Sequence, residues 1–241
     1  METSAIENIL QSNSYCGRGI IIGKSADAQS AVIAYFTMGR SENSRNRVFL
    51  ATDDGITIEP FDLSKVADPS LIIYHPVRTV GQHIIVTNGD QTDTIHDFIK
   101  ENKTFEDALL TRCFEPDAPN FTPRISGIIT KEQTANEALD FSYKLSILKA
   151  GDAGGSVCSR YFYQYQPLAG IGHFIHTYEH DGSPIPSFEG EPRRVAIPNG
   201  IDAFADLLWK SLNDANKVSL YVSYLSLATG ERTYRILNKL G

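Results

Sequence analysis

The chain has 241 residues, a formal net charge of -7, 41% hydrophobic and 21% charged residues, a composition that suits one ordinary soluble domain with a substantial core. No apolar run approaches the length that crosses a bilayer, so no membrane partner is expected. The acidic balance also argues against nucleic acid as a partner, because sequence-independent binding to a polyanion needs a broad basic surface.

The opening stretch METSAIENILQSNSYCGRG carries Glu2, no basic n-region and no long apolar h-region. It is therefore expected not to be a secretory signal, and the protein is expected to be cytoplasmic. Cys16, Cys113 and Cys158 are odd in number, far apart in sequence and in no C-x-x-C spacing. That argues against a disulfide framework and against a zinc site, and no metal ligands are assigned.

Residues 4–11 suit a short helix, and residues 1–14 are read as an N-terminal extension to a single domain over residues 15–241. RGIIIGKS, SAVIAYFTM, NRVFLATD, ITIEPFD, SLIIYHP and QHIIVTNG are short β-branched or aromatic runs between Gly, Asp and Asn turns, as expected of antiparallel strands. The spacing then becomes helical in QTDTIHDFIKEN and TFEDALLTRCF, with Thr92 and Thr104 as expected N-caps. Strands return in RISGIITK, DFSYKLSILKAG, SVCSRYFYQYQ and GIGHFIHTYE, followed by residues 179–200, a Gly- and Pro-rich stretch read as one long irregular loop. IDAFADLLWKSLN is read as a helix, and KVSLYVSYLSL and TYRILN as closing strands. Strands, helices, strands, helix, strands is the order of a layered α+β domain with two sheets.

Four stretches could carry chemistry. GRSENSRNRVF brings Arg40, Arg45 and Arg47 together with Ser41, Asn43, Ser44 and Asn46. That mixture of guanidinium groups and small hydrogen-bonders suits one phosphate group, although a solvated turn would also hold it. IIYHPVRTVG ends a strand with Tyr74, His75 and Arg78, and the plain reading is a strand end. Asn88-Gly89 forms a tight turn before a helix N-terminus, where backbone N–H groups point outward and favour an anion or a carbonyl oxygen; a turn with a cap explains it as well. FEPDAPNFTPRISG is stiffened by Pro116, Pro119 and Pro123 and carries Glu115, Asp117, Asn120 and Arg124. Such stiffening can fix a carboxylate and a guanidinium, or simply make a rigid connector. His173 and His176, three apart on a strand, point to opposite faces and suit structural roles.

Taken together, GRGIIIGK with Arg18, Tyr35 followed by Arg40-Ser41, Asn-Arg-Val at 46–48, Tyr74 ahead of VRTVG, Asn88-Gly89 with Thr92-Asp93, and Thr-Pro-Arg-Ile at 122–125 resemble the archaeal-type IMP cyclohydrolase family. Order and approximate spacing match across residues 15–130, and the longer C-terminal half suggests a bacterial branch. The resemblance implies a four-layer αββα sandwich of antiparallel sheets like that of the N-terminal nucleophile hydrolases. It implies ring closure of 5-formamidoimidazole-4-carboxamide ribonucleotide to inosine monophosphate with loss of water, the last step of de novo purine biosynthesis. The partner is then a small purine ribonucleotide, with no cofactor; a homo-oligomer stays open. On this reading Tyr74 is a donor or acid near the formyl group and Glu115 positions and deprotonates the carboxamide. Arg18, Arg40, Ser41, Asn46, Arg47, Asn88, Gly89, Asp93 and Arg124 bind substrate.

Two other readings remain at this stage. Cys16 followed by Gly17 would suit an N-terminal nucleophile amidohydrolase after removal of residues 1–15, since the free α-amine is the base in that chemistry. A non-catalytic nucleotide-binding module is the other.

Overall fold

The computed structural model of the chain describes residues 2–65, 73–133 and 139–241. In chain order they form α1 (Ile6–Gln11), β1 (Arg18–Lys24), β2 (Ser30–Met38), α2 (Glu42–Arg45), β3 (Val48–Ala51), β4 (Gly55–Glu59), β5 (Val77–Val80), β6 (His83–Thr87), α3 (Gln91–Lys100) and α4 (Phe105–Leu110). There follow β7 (Arg124–Gln133), β8 (Leu139–Ala150), β9 (Cys158–Tyr165), β10 (Ile171–His176), β11 (Arg193–Ala196), α5 (Ile201–Ser211), β12 (Lys217–Ser226) and β13 (Arg232–Asn238). One sheet has the order β11-β10-β1-β2-β12-β13 and the other β3-β4-β5-β6-β7-β8-β9. Neighbouring strands in both are antiparallel.

Period-2 alternation explains the layering. β1 sends Ile20 and Ile22 toward the second sheet and Ile21 the other way; β2 likewise divides Ile33 and Tyr35 from Val32, Ala34 and Phe36. From the facing sheet, Ile84 and Val86 of β6 and Tyr143, Leu145 and Ile147 of β8 complete the central core. The outer face of the first sheet packs against α1 and α5 through Leu10, Phe204 and Leu208. The outer face of the second packs against α3 and α4 through Ile95, Phe105 and Leu109. The α+β architecture is thus helix, sheet, sheet, helix: two layered sheets, as the element order implied, between helix layers, as the family resemblance implied.

Part of the N-terminal extension shares the core: Ile6 and Leu10 of α1 are fully buried in the cluster that holds α5. The details depart from the sequence reading in four places. Thr92, expected as an N-cap, lies inside the first turn of α3, its hydroxyl 2.6 Å from that of Thr87 and 3.1 Å from the Gly89 carbonyl. The cap position falls on Asp90, which caps nothing because Arg112 and Arg124 take its carboxylate. Thr104 does cap α4, reciprocally with Asp107. Within SLIIYHP, Ser70, Leu71 and Ile72 lie outside the described residues; residues 73–76 form no strand, and the strand is the following Val77–Val80. Residues 179–200 include β11, whose Val195 is buried and pairs with Gly172. The arginine-rich tip folds as α2, capped by Ser41 and Ser44, a helix too short to show a period. No described helix is long and apolar enough to cross a membrane.

If residues 6–11 belong to the core, Leu10→Ala should lower unfolding stability by about 2–5 kcal/mol, while Asn8→Ala on the exposed side should stay within about 0.5 kcal/mol. Urea denaturation of the two variants checks this.

Candidate functional site

Strand register gathers the site at one end of the sandwich. Arg18 pairs with Thr37 and Gly19 with His176, so the start of β1 lies beside the ends of β2 and β10. In the facing sheet Thr87 pairs with Ser126, which sets the end of β6 beside the start of β7. Two adjoining cavities open there. One, of about 380 Å³, is lined among others by Tyr15, Arg18, Arg40, Ser41, Arg47 and Tyr178. The other, of about 300 Å³, is lined by Arg18, Arg47, Tyr74, Asn88, Gly89, Glu115 and Arg124, with Asp90 and Pro116. Arg18, Arg47 and Glu115 wall both. A groove of similar volume near His83 and Lys144 lies elsewhere, but its Lys144 is already paired with Glu106 at 2.6 Å.

The chain divides its arginines between structure and cleft. Arg45 donates to the Gly39 carbonyl at 2.9 Å and to Asn216 Oδ1 at 3.0 Å, which anchors α2 and removes it from the anion bed the sequence suggested. Arg40 stands at the rim, over the Tyr15 ring at 5.1 Å, and donates to Asp181 Oδ1 at 2.6 Å and the Gly182 carbonyl at 2.9 Å. Arg47 is buried and Arg18 half-buried, and the Nε of each has no hydrogen-bond partner among the described residues. Burial, and then Arg18, push the Arg47 guanidinium below its ordinary value. Glu115 is the one carboxyl that acts on both guanidinium groups among the described residues, and the excess of positive charge is what an anionic ligand would stabilise.

Around them stand the other predicted residues. Tyr74 is buried, and its hydroxyl lies 3.0 Å from that of Tyr35. Burial raises the Tyr74 phenol, against the lowering pull of Arg18 and Arg47. Burial likewise raises the Glu115 carboxyl above its ordinary value, opposed by Arg18, Arg124 and Arg47. Arg124 is held by Asp90 Oδ1 and Gln91 Oε1, both at 2.7 Å. Asn88 lines the cleft, but its amide is a brace: Oδ1 accepts from Ile125 N at 2.8 Å and Nδ2 donates to the Pro123 carbonyl at 2.9 Å. A Cβ at Gly89 would lie 2.5 Å from Arg124 Nη1 and 2.6 Å from Gln91 Oε1, so a side chain there would displace the end of Arg124 from its place on the cleft wall.

Two predicted residues lie apart from these cavities. Asn46 exchanges hydrogen bonds with the backbone of Asp62, both at 2.8 Å, and so ties α2 to the end of β4. Asp93 accepts from Arg78 Nη1 at 3.0 Å, with His75 Nδ1 at 3.7 Å. Ser41 lines the larger cavity, with its hydroxyl engaged by Ser44 at 3.0 Å.

The wall that sequence reasoning missed is aromatic. Tyr15 stacks on Tyr178 at 5.8 Å, and Thr122 Oγ1 lies 2.5 Å from the Tyr178 hydroxyl. Tyr15 and Tyr178 are 163 positions apart in sequence, and only the pairing of β1 with β10 joins them. Asp117, which stood out by composition, folds its own loop by accepting from Thr122 N at 2.6 Å. Cys16 is buried beside Met38, Sγ to Sδ 3.7 Å, and burial pushes its thiol up to about 12. His173 and His176 have structural partners, the Tyr143 hydroxyl at 2.6 Å and the Tyr178 carbonyl at 2.7 Å.

The fold and cleft thus define a two-sheet α+β protein with a site suited to a small anion that also presents a phenol and a carboxyl. The sequence model of the family described as IMP cyclohydrolase-like protein matches residues 15–230, and the chain belongs to that family. It is 35% identical over 125 residues to the IMP cyclohydrolase of Methanococcus aeolicus, covering 50% of this chain and 60% of the relative. It is 38% identical over 123 residues to that of Methanococcus maripaludis, 49% and 59% of the two chains, and 32% identical over 126 residues to that of Halobacterium salinarum, 50% and 60%. The match thus spans about 60% of the length of these curated relatives.

The raised Glu115 carboxyl has a consequence for stability. A folded-state value above the ordinary 4.5 means that its contribution is fully present below about pH 4.5 and is lost as pH rises through the folded value. Glu115→Gln should therefore be more stable than the parent at neutral pH, with the difference vanishing below about pH 4.5. Thermal melts of both proteins across pH 4 to about 8 read the sign. Cys16, with its thiol raised, should escape alkylation by iodoacetamide at about pH 8 while exposed Cys113 reacts; peptide mass spectrometry of the folded protein tells them apart.

Proposed function

We propose that the protein is a cytoplasmic IMP cyclohydrolase that closes 5-formamidoimidazole-4-carboxamide ribonucleotide to inosine monophosphate. The observation that carries this reading is the cleft in which Arg18 and Arg47, each with an Nε that has no hydrogen-bond partner among the described residues, stand beside Tyr74 and Glu115. The names of the relatives and the family point the same way.

The reaction is intramolecular, because the carboxamide and formamido groups sit on adjacent ring atoms, and the site's first task is to hold the reactive rotamer. The carboxamide nitrogen attacks the formyl carbon, the N–C bond forms, and the carbonyl electron pair moves to oxygen. Tyr74 donates a hydrogen bond to that oxygen, whose charge grows in the transition state. Glu115 accepts the proton leaving the attacking nitrogen; its raised carboxyl makes it a stronger base than an exposed glutamate. The proton taken by Glu115 is returned to the oxygen, giving a hydroxyl on the new ring carbon; that hydroxyl then leaves with the proton of the former formamido nitrogen as water, and the C=N bond of the product forms. Arg47, Arg18 and Arg40 anchor the 5′-phosphate, and Arg124 and Gly89 border the base.

The amidohydrolase reading asks for a reactive Cys16, and a buried, raised thiol does not favour it. Cys16→Ala should keep most of its activity.

A spectrophotometric ring-closure assay tests the reading, and three variants divide its parts. Arg47→Ala should raise KM, corresponding to roughly 2–3 kcal/mol for one charge-assisted hydrogen bond. Tyr74→Phe and Glu115→Gln should act on kcat, Tyr74→Phe by about 10²–10³, with product binding little changed. No ring closure by the folded parent would reject the function. Unchanged KM in Arg47→Ala, or unchanged kcat in the other two, would reject the corresponding role.

A further inference from the structure

Tyr35, the first residue of the Tyr-x4-Arg-Ser spacing, does not line the cleft. It lies in β2 with 0% exposure, its ring stacked on Phe49 at 5.5 Å and 17°. Its hydroxyl has one hydrogen-bond partner among the described residues, the Tyr74 hydroxyl at 3.0 Å. Each phenol has one proton to give and lone pairs to accept with. If Tyr74 donated, the Tyr35 proton would have no acceptor among the described residues, a penalty that buried groups avoid. If Tyr35 donates, its proton is satisfied, and the Tyr74 proton remains for whatever occupies the cavity that Tyr74 lines. Only the second arrangement gives the fully buried phenol an acceptor and leaves the free proton on the phenol that borders the cavity.

We infer that Tyr35 is a positioning residue that donates to the Tyr74 oxygen, fixes the Tyr74 hydroxyl toward the cleft, and stabilises negative charge on that oxygen as its proton is shared with a bound ligand. Its consequence for turnover rests on the function proposed above; the direction of the hydrogen bond does not. The groups that face Tyr74 are Tyr35 from β2, Arg18 from β1, Arg47 ahead of β3 and Glu115 from the loop before β7; Arg124 and Asp90 share its cavity. Burial raises the Tyr35 phenol well above the ordinary range, as suits a group that keeps its proton, while the bond from Tyr35 pulls the Tyr74 phenol down against the effect of burial.

Tyr35→Phe removes the hydroxyl and keeps the ring. The Tyr74 phenol should then titrate at higher pH, read as the ultraviolet difference between Tyr35→Phe and Tyr35→Phe/Tyr74→Phe, against the difference between the parent and Tyr74→Phe. In the ring-closure assay kcat should fall about tenfold, less than for loss of Tyr74 itself, with KM unchanged and any alkaline limb of the kcat profile moved upward. A structural role alone would lower Tm without moving the Tyr74 titration. An unmoved titration overturns the inference, even if the parent turns over; a moved titration in a parent without turnover supports it and rejects the proposed function instead. Should Tyr35→Phe fail to fold, Tyr74→Phe decides: it strands the Tyr35 proton, so its Tm should fall and the Tyr35 hydroxyl proton should exchange faster by NMR. An unchanged Tm with unchanged exchange overturns the inference.

Discussion

The face-to-face packing of the two sheets is the constraint on which the rest depends. Residues of both inner faces interdigitate, and where Gly127 passes Ile22 the fit leaves no room for another atom: a Cβ on Gly127 would lie 2.6 Å from the Ile22 side chain. Close packing of this kind fixes both the separation and the sideways register of the sheets. It thereby fixes how far the start of β1, with Arg18, stands from the loops that carry Tyr74 and Glu115. Tyr35 and Tyr74 sit on the boundary itself, one phenol in the core and the next on the cleft wall.

The second consequence is electrostatic. The chain is acidic as a whole, yet it concentrates Arg18, Arg47 and Arg124 around Glu115. Arg124 is neutralised by Asp90, which also holds Arg112 at 2.5 Å. Arg18 and Arg47 have no such partner among the described residues, and the fold carries their desolvation through the strength of the surrounding core. A site that binds an anion tightly has to be incomplete without one, and that incompleteness is a local loss of stability.

The opening of the cleft is built from segments distant in sequence. Asn13 Nδ2 donates to the Glu179 carbonyl at 2.8 Å, Tyr15 stacks on Tyr178, and Arg40 reaches Asp181. The stretch ahead of β1 and the one after β10 thus form one wall. Ile185 N closes it by donating to Asn120 Oδ1 at 3.1 Å, which joins the late loop to the proline-stiffened loop of Glu115.

The sequence by itself determined the elements and their faces. Ile20, Ile21 and Ile22 alternate, and α3 and α5 repeat at helical spacing, because side-chain direction is a local property of the backbone. It also marked Arg40, Arg47, Tyr74, Glu115 and Arg124 by residue type and motif, and the cleft gathers them. Elements too short to show a period, α2, β5 and β11, left no such mark. Tertiary structure alone decided how the marked groups are used. Asn46 and Asp93 satisfy backbone and arginine partners away from the cavities, and Arg45 turns to Gly39 and Asn216. Tyr15 meets Tyr178, and Tyr35 meets Tyr74. The reason is that hydrogen-bond satisfaction and burial depend on which strand ends become neighbours. Long-range pairing settles that, and no local pattern of residues encodes the outcome.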